Sequence, residues 1–509
     1  MNKFIHIYKF LAVFGLVALV SCTKNFADLN TNPNAVSDPT PQFVFTKAQY
    51  DGVANMLNLL LGTMQYTTSY NDVSGFGSKY VASQVNTTSA SFSSAYPNAL
   101  NELAVVISAV QADPAKVNLL AEARIWRVYC YSRLTDLYGD IPYSQAAQGY
   151  TGSNFTPAYD AQKDIYANML TELDQAATSL DATKATFGTG DLMYGGNTTQ
   201  WKKFAYSLML RLGMRLTKVD VATAQTWVTK AIAGGVITAD ADIAKVSYLT
   251  GGQDINKNPL ALNLYNNDYI AANGNTNQEG GKYQDVFINY LKQSHDPRLG
   301  IISIVYAGGV PDTTFSKQQG MPATLSAKPG NFATLSEPNP KTLLLLNSPR
   351  LIFTAAESYY LLAEAALRGW YNGATAGSLY SDGVAAALRQ WSVISLGSGD
   401  GTLSTTQIST YVNNNQLAAG TFDQQMQQIY TQFWVSIFPD AQEVFASYRR
   451  TGYPALTPNN YPGNATGGKI FRRMLYPVSE QNLNAKSYAA AIARQGPDDL
   501  LTRIYWDKQ

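Results

Sequence analysis

NLLAEARIWRVYCYSRLTDLY, residues 118–138, followed at once by Gly139-Asp140-Ile141-Pro142, decides the fold class. Leu119, Ala123, Trp126, Cys130, Leu134 and Leu137 recur at steps of three and four, the spacing that stacks side chains on one helical face. Gly139 and Pro142 supply the stop that ends such helices. The spacing predicts a helix over 118–138 with a buried stripe, and Cys130 within it as an inert, packed thiol.

The same period runs along most of the chain. Ile165, Met169, Leu173, Ala176 and Leu180 predict a helix over 160–181 with Asp160 as its N-cap. Trp201, Phe204, Leu208, Leu212 and Leu216 predict another over 199–217, and 221–233 a shorter one ending at Gly234-Gly235. Further helices are expected at 354–369, 378–394, 405–415, 422–437, 440–449 and 479–494. Adjacent segments (99–112 with 118–138, 199–217 with 221–233, 354–369 with 378–394) pair as helical hairpins, the units that stacked arrays use to bury a core. No clean 34-residue period accompanies them, so self-similarity does not establish repeats. The expected class is mainly α.

The N-terminus sets the compartment. Lys3 and Lys9 precede an apolar run from Phe10 to Val20, and Leu19-Val20-Ser21-Cys22 places a small residue and then a cysteine at the cut, the pattern of a bacterial lipoprotein signal. Residues 1–21 are expected to be removed and Cys22 to carry acyl chains, each buried CH₂ contributing about 0.8 kcal/mol of membrane affinity. The run is too short for the ~20 apolar residues of a membrane-spanning helix. Residues 22–40, polar with two prolines, form a lipidated tether to a helical domain at 41–509.

Composition excludes several function classes. Removing residues 1–21 takes Lys3 and Lys9 from 37 basic residues and nothing from 36 acidic ones. A near-neutral chain without a basic block is not a nucleic-acid binder. With Cys22 lipidated, Cys130 has no partner for an intrachain disulfide. With His6 removed, His295 is the sole histidine, which rules out Ser-His-Asp, Cys-His and multi-histidine metal chemistry. His295, in Ser294-His295-Asp296-Pro297-Arg298, is expected to cap or anchor a loop. No cofactor is expected. Carboxylates are plentiful without EF-hand-like spacing, which leaves a structural calcium open.

Two stretches depart from the helical period, 65–98 and 247–350, where tyrosines are scattered among Asn, Gly, Ser and Thr. Long irregular segments in a compact protein are usually functional, and rings among amides suit stacking on flat faces and hydrogen-bonding hydroxyls. The candidate ligand-binding residues are Tyr70, Asn71, Phe76 and Tyr80 from the first stretch and Tyr265, Asp268, Tyr269 and Tyr283 from the second.

Several strings in order along the chain resemble the SusD/RagB family, in its SusD-like branch of outer-membrane nutrient-binding lipoproteins. They are FADLNTNPN (26–34), AEARIWRVYCYSRLTDLYGDIPYSQAAQG (121–149), PAYDAQKDIYANMLTELDQA (157–176), MYGGNTTQWKKFAYSLMLRLGMRL (193–216), AAESYYLLAEAALRGWYNG (355–373), YRRTGYPAL (448–456) and RRMLYPVSEQNLN (472–484). Residues 247–350 match least. Phe471 stands where the family pattern has proline, and Asn197 and Tyr206 replace an Asp and an Asn. The resemblance implies tetratricopeptide-like helix pairs with an irregular, loop-rich ligand-binding part. It also implies residence at the cell surface, and a TonB-dependent SusC-type β-barrel transporter as partner, to which captured oligosaccharide, or in some relatives peptide, is passed.

An enzyme is the competing class. A glycoside hydrolase needs two carboxylates flanking the scissile bond. Glu357 and Glu364 share a helix face, but in an Ala- and Leu-rich stretch typical of helix packing, and no catalytic residue is assigned. Arg449-Arg450 and Arg472-Arg473 are expected to cap helix ends or pair with carboxylates. A purely structural lipoprotein, its tyrosine-rich loops forming a protein interface, is the third class.

Overall fold

A computed structural model of the protein describes residues 40–54, 58–71, 77–81, 87–148, 154–266 and 281–508. The signal segment, Cys22 and most of the tether lie outside these residues. The main helices are α1 (Pro41–Ala54), α2 (Asn101–Val110), α3 (Val117–Tyr138), α4 (Gln162–Ser179), α5 (Thr198–Arg215), α6 (Val221–Gly234), α7 (Ala355–Leu367), α8 (Ala376–Ile394), α9 (Thr405–Asn414), α10 (Phe422–Ile437) and α11 (Ala441–Thr451). The expected hairpins form: α2 packs on α3, α5 on α6 and α7 on α8, while α4 lies against both α3 and α5.

Helix starts follow local chemistry. Asn197 accepts from Thr199 N and Gln200 N, both at 3.1 Å, so its amide replaces a carboxylate cap without loss of the bond. Ser404 and Thr421 form capping boxes with Gln407 and Gln424. Asp160 is not the N-cap of α4. Its carboxylate instead accepts from Tyr143 N and Ser144 N at 3.1 and 2.8 Å, beside a two-residue strand pair in which Ile141 faces Asp160. Asp140, from the turn after α3, accepts from Gln162 N at 2.8 Å and takes over the cap. The stretch 479–494 divides into helices Val478–Leu483 and Ala485–Gln495. There Asn484 turns its amide to Pro157 O at 2.9 Å, a tertiary bond overriding local propensity.

Helix α3 is more deeply placed than a single stripe implies. Leu119 is only partly buried, whereas almost every residue from Ala121 to Tyr138 is enclosed, polar ones included. Its neighbour α1 comes close because Gly52 has no side chain: a Cβ there would sit 2.9 Å from both Cys130 Sγ and Trp126 Nε1. Burial pushes the Cys130 thiol well above its usual pKa, as expected of an inert cysteine.

The polar residues of the core meet as ion pairs. Arg211 of α5 forks onto Glu357 of α7 at 2.6 and 2.7 Å and lies 3.4 Å from Glu443 of α11. Arg215, one turn on, reaches Glu443 at 2.5 Å and Asp136 of α3 at 3.5 Å. Arg133 grips Asp440 bidentately at 2.9 and 3.0 Å. Arg450 holds Glu364 at 2.7 and 2.8 Å, with Arg368 on the same carboxylate at 2.8 Å. Although burial opposes it, Arg450 keeps Glu364 at about 2. The candidate carboxylates Glu357 and Glu364 are thus both engaged by arginines inside the core.

Glu122 of α3 has no such cation among the described residues. It is fully buried, one oxygen accepts from Phe187 N at 3.4 Å, and the other has no hydrogen-bond partner. Burial, then repulsion from Asp191, raises it to about 9, so the carboxyl is protonated in the fold at neutral pH. The unfolded chain ionises this group near its ordinary pKa, so the folded state holds the extra proton and stability declines as pH rises from about 4.5 toward about 9. Glu122→Gln is expected to flatten that decline in a melting-temperature series across pH; an unchanged slope refutes the assignment. Glu364→Ala, which strands buried Arg450, is expected to cost about 3–5 kcal/mol, measured as a lowered urea midpoint.

Candidate ligand-binding face

The two irregular stretches meet through backbone pairing. Thr67–Thr68 forms an antiparallel ladder with Lys282–Tyr283, in the register Thr67 to Tyr283 and Thr68 to Lys282. Met321 N donates to Tyr283 O at 2.8 Å and Tyr283 N to Ser336 O at 2.9 Å, drawing 321–336 onto the same edge. A third segment, 453–470, closes over the first two. Gln65 donates to Thr457 O, Asn459 Nδ2 donates to Ser78 O and Ala323 O at 3.1 and 2.9 Å, and Val81 bridges Asn464.

Of the sequence-derived residues whose side chains the structure describes, the three tyrosines are all buried and Asn71 is partly so. Tyr283 is fully enclosed and donates its hydroxyl to Ile302 O at 2.9 Å. Tyr80 is 2% exposed, holds a left-handed backbone (φ 53°), and meets Phe471 edge-on at 6.0 Å. Both rings are packing, because the loops that carry them are themselves covered. Phe471, where the family pattern has proline, is what Tyr80 packs on. Tyr70 is buried at 8% exposure, its ring perpendicular to Phe332 at 5.3 Å, in a small apolar cluster with Met321 and Leu335 apart from the main core. Asn71 is half-buried and accepts from Ser69 Oγ at 2.7 Å. Phe76, Asp268 and Tyr269 lie outside the described residues, as does the side chain of Tyr265 at the end of helix Pro259–Asn266.

Segment 453–470 was missed as a candidate. It carries TPNNYPGNA (457–465), the same Asn, Gly, Pro and Tyr mixture that marked the other two, but it is short and follows a strong helix. Tyr461 is its half-exposed ring, with the ammonium of buried Lys79 3.9 Å from the ring centroid. Nearby, Lys282 pairs with Glu337, both enclosed, at 2.5 Å, and lies 4.7 Å from the Phe332 ring, which also has the Lys328 ammonium at 5.2 Å. Burial presses the Lys282 ammonium below its usual pKa in spite of Glu337. Asn71, Asn459, Asn460 and Asn464 add amides to the segments that carry these rings, several of them engaged in internal bonds. Among the described residues no group of three or more His, Cys, Asp or Glu is placed to hold a metal ion, and no helix is long and apolar enough to cross a membrane. His295, with a left-handed backbone (φ 52°), stacks on Phe315 at 6.3 Å, while adjacent Asp296 locks Arg298 at 2.6 Å.

A family model described as "Starch-binding associating with outer membrane", SusD-like, matches residues 33–477. A solved chitin-binding protein shares 30% identity and a TM-score of 0.79, covering 92% of this chain and 100% of its own. A chitin-binding SusD homologue from Flavobacterium johnsoniae shares 27% identity and a TM-score of 0.71, covering 92% of this chain and 98% of its own. A SusD-like protein from Bacteroidetes, at 24% identity and a TM-score of 0.81 over 92% of this chain and 100% of its own, shares the fold. No curated protein matches the chain.

Asn459→Ala removes both bonds that clip 453–470 to its neighbours. Hydrogen exchange at 321–325 and 457–465 is expected to accelerate, with a global stability loss of about 1–2 kcal/mol. Unchanged exchange means that Asn459 does not hold the face together.

Proposed function

The chain belongs to the SusD-like family, and we propose that it is a cell-surface lipoprotein, anchored through Cys22, that captures oligosaccharides and passes them to a TonB-dependent SusC-type outer-membrane transporter without catalysis. The observation that carries the reading is the face itself: three loop segments with rings and amides, held on an ion-paired helical scaffold. Such a surface suits neutral, hydroxyl-rich ligands, for which stacking and amide hydrogen bonds supply recognition. Relatives named as chitin-binding support a glycan over other nutrients. The engagement of Glu357 and Glu364 by arginines supports binding rather than hydrolysis.

The proposed contacts are Asn71 and Tyr461, with Phe76, Tyr265, Asp268 and Tyr269 proposed from the sequence, while Tyr70 is buried against Phe332. Tyr80 and Tyr283 are assigned to packing.

Isothermal titration of the purified protein against chito-, malto- and other oligosaccharides, with short peptides alongside, is the test. A saccharide is expected to bind with no reducing ends released. Tyr461→Ala and Tyr269→Ala are each expected to weaken it about tenfold, or ~1.4 kcal/mol, at unchanged melting temperature. Binding only of peptides, release of reducing ends, or affinity untouched by both substitutions overturns the reading as stated.

A further inference from the structure

Segment 453–470 also borders an open groove of about 450 Å³, lined by Tyr448, Pro458, Lys469, Arg472 and Arg503 with two aliphatic side chains. Its charged residues are three cations and no carboxylate. Asp507, fully buried, is bound by both Arg472 and Arg503, the latter at 2.7 Å, while the exposed Asp499 accepts from the backbone N of the lining residue Leu501 at 2.7 Å. Lys469 is exposed and has no carboxylate within ion-pair distance among the described residues.

More positive charge stands behind the wall. Arg449 is buried without a carboxylate of its own: it donates to Phe445 O at 3.3 Å, to Arg472 O at 2.8 Å and to Asp136 O, between the rings of Phe445 and Trp506 at 4.0 and 4.8 Å. Lys218 donates to Lys508 O at 3.4 Å on the same side. Burial, then the Arg450 guanidinium, with smaller contributions from Arg503 and Arg472, holds the Lys218 ammonium below its usual pKa against the opposing pull of Asp507. In a chain with 37 basic and 36 acidic residues this is a local imbalance and not a general one.

We infer that this groove binds the carboxylate or sulfate of an acidic saccharide, with Lys469, Arg472 and Arg503 facing the oxyanion and the Tyr448 ring beside the sugar. A half-exposed ring 5.8 Å from the Arg472 guanidinium, next to the apolar edge of Pro458, suits a charged sugar better than a bare inorganic ion. Pro458 also adjoins Asn459, which is bonded to the loops of the proposed face. The inference deepens the glycan-capture reading and rests on it for the saccharide, though not for the oxyanion site.

Titrating the full-length protein with trigalacturonate and with its fully methyl-esterified form separates charge from shape. The free acid is expected to bind at least about tenfold more tightly at low salt, with the advantage shrinking as ionic strength rises. Lys469→Glu, at an exposed residue whose side chain makes no internal ion pair, is expected to abolish the preference at unchanged melting temperature. Equal binding of acid and ester, a preference that survives Lys469→Glu, or no binding of the acid overturns the inference. Tyr461 does not line the groove. Acid binding that persists in Tyr461→Ala, while the neutral panel stays silent, therefore leaves the oxyanion site standing and removes the neutral-glycan reading.

Discussion

The fold depends on a set of charges that cannot be left alone in its interior. Arg211, Arg215, Glu357, Glu443 and Asp136 come from four different helices and are all buried, so each helix must arrive in register for any one charge to be neutralised. A buried ion pair adds little net stability over a well-packed apolar pair, but removing one partner strands the other at a cost of about 3–5 kcal/mol. The network therefore acts against misassembly: an array in which α5 slides by a turn against α7 or α11 carries one of the two arginines out of the network and strands buried carboxylate behind it.

That constraint explains why the motifs that identify the family are not where its ligand is expected. The strings around Arg211, Glu357, Glu364 and Arg449-Arg450 are scaffold, joined to one another through the core. The proposed recognition surface lies instead on loop segments, because a loop hung on a rigid frame can change its side chains without disturbing the ion pairs behind it. The face is held differently, by single hydrogen bonds from Gln65 and Asn459 and by two-residue ladders. Such fastenings order a loop without tying its surface residues to the core.

The candidate residues show where sequence patterning reaches its limit. Tyr80 and Tyr283 had the same loop-like surroundings as Tyr461, yet two became core and one stayed half-exposed. The difference lies in what covers them: segment 453–470 lies across the loop carrying Tyr80, and 321–336 across the strand carrying Tyr283. Neither cover is near its tyrosine in sequence, so no local window contains the signal. Asp160 and Asp140 make the same point for capping, since the carboxylate that caps α4 comes from a turn about twenty residues earlier.

By itself the sequence determined most of the long helices and their hairpin pairing, though not α1 or the helices Pro259–Asn266 and Asp285–Gln293. These follow from 3.6-residue periodicity and from caps whose donors and acceptors sit within a few residues of one another. It also carried the family resemblance, borne by strings that recur in order. The tertiary structure alone decided which carboxylate meets which arginine, which tyrosines are enclosed, and that 453–470 joins the other loops with a cationic groove beside it. Those outcomes rest on contacts between residues tens to hundreds of positions apart. Burial and electrostatic neutralisation depend on distance in space, which chain order does not encode.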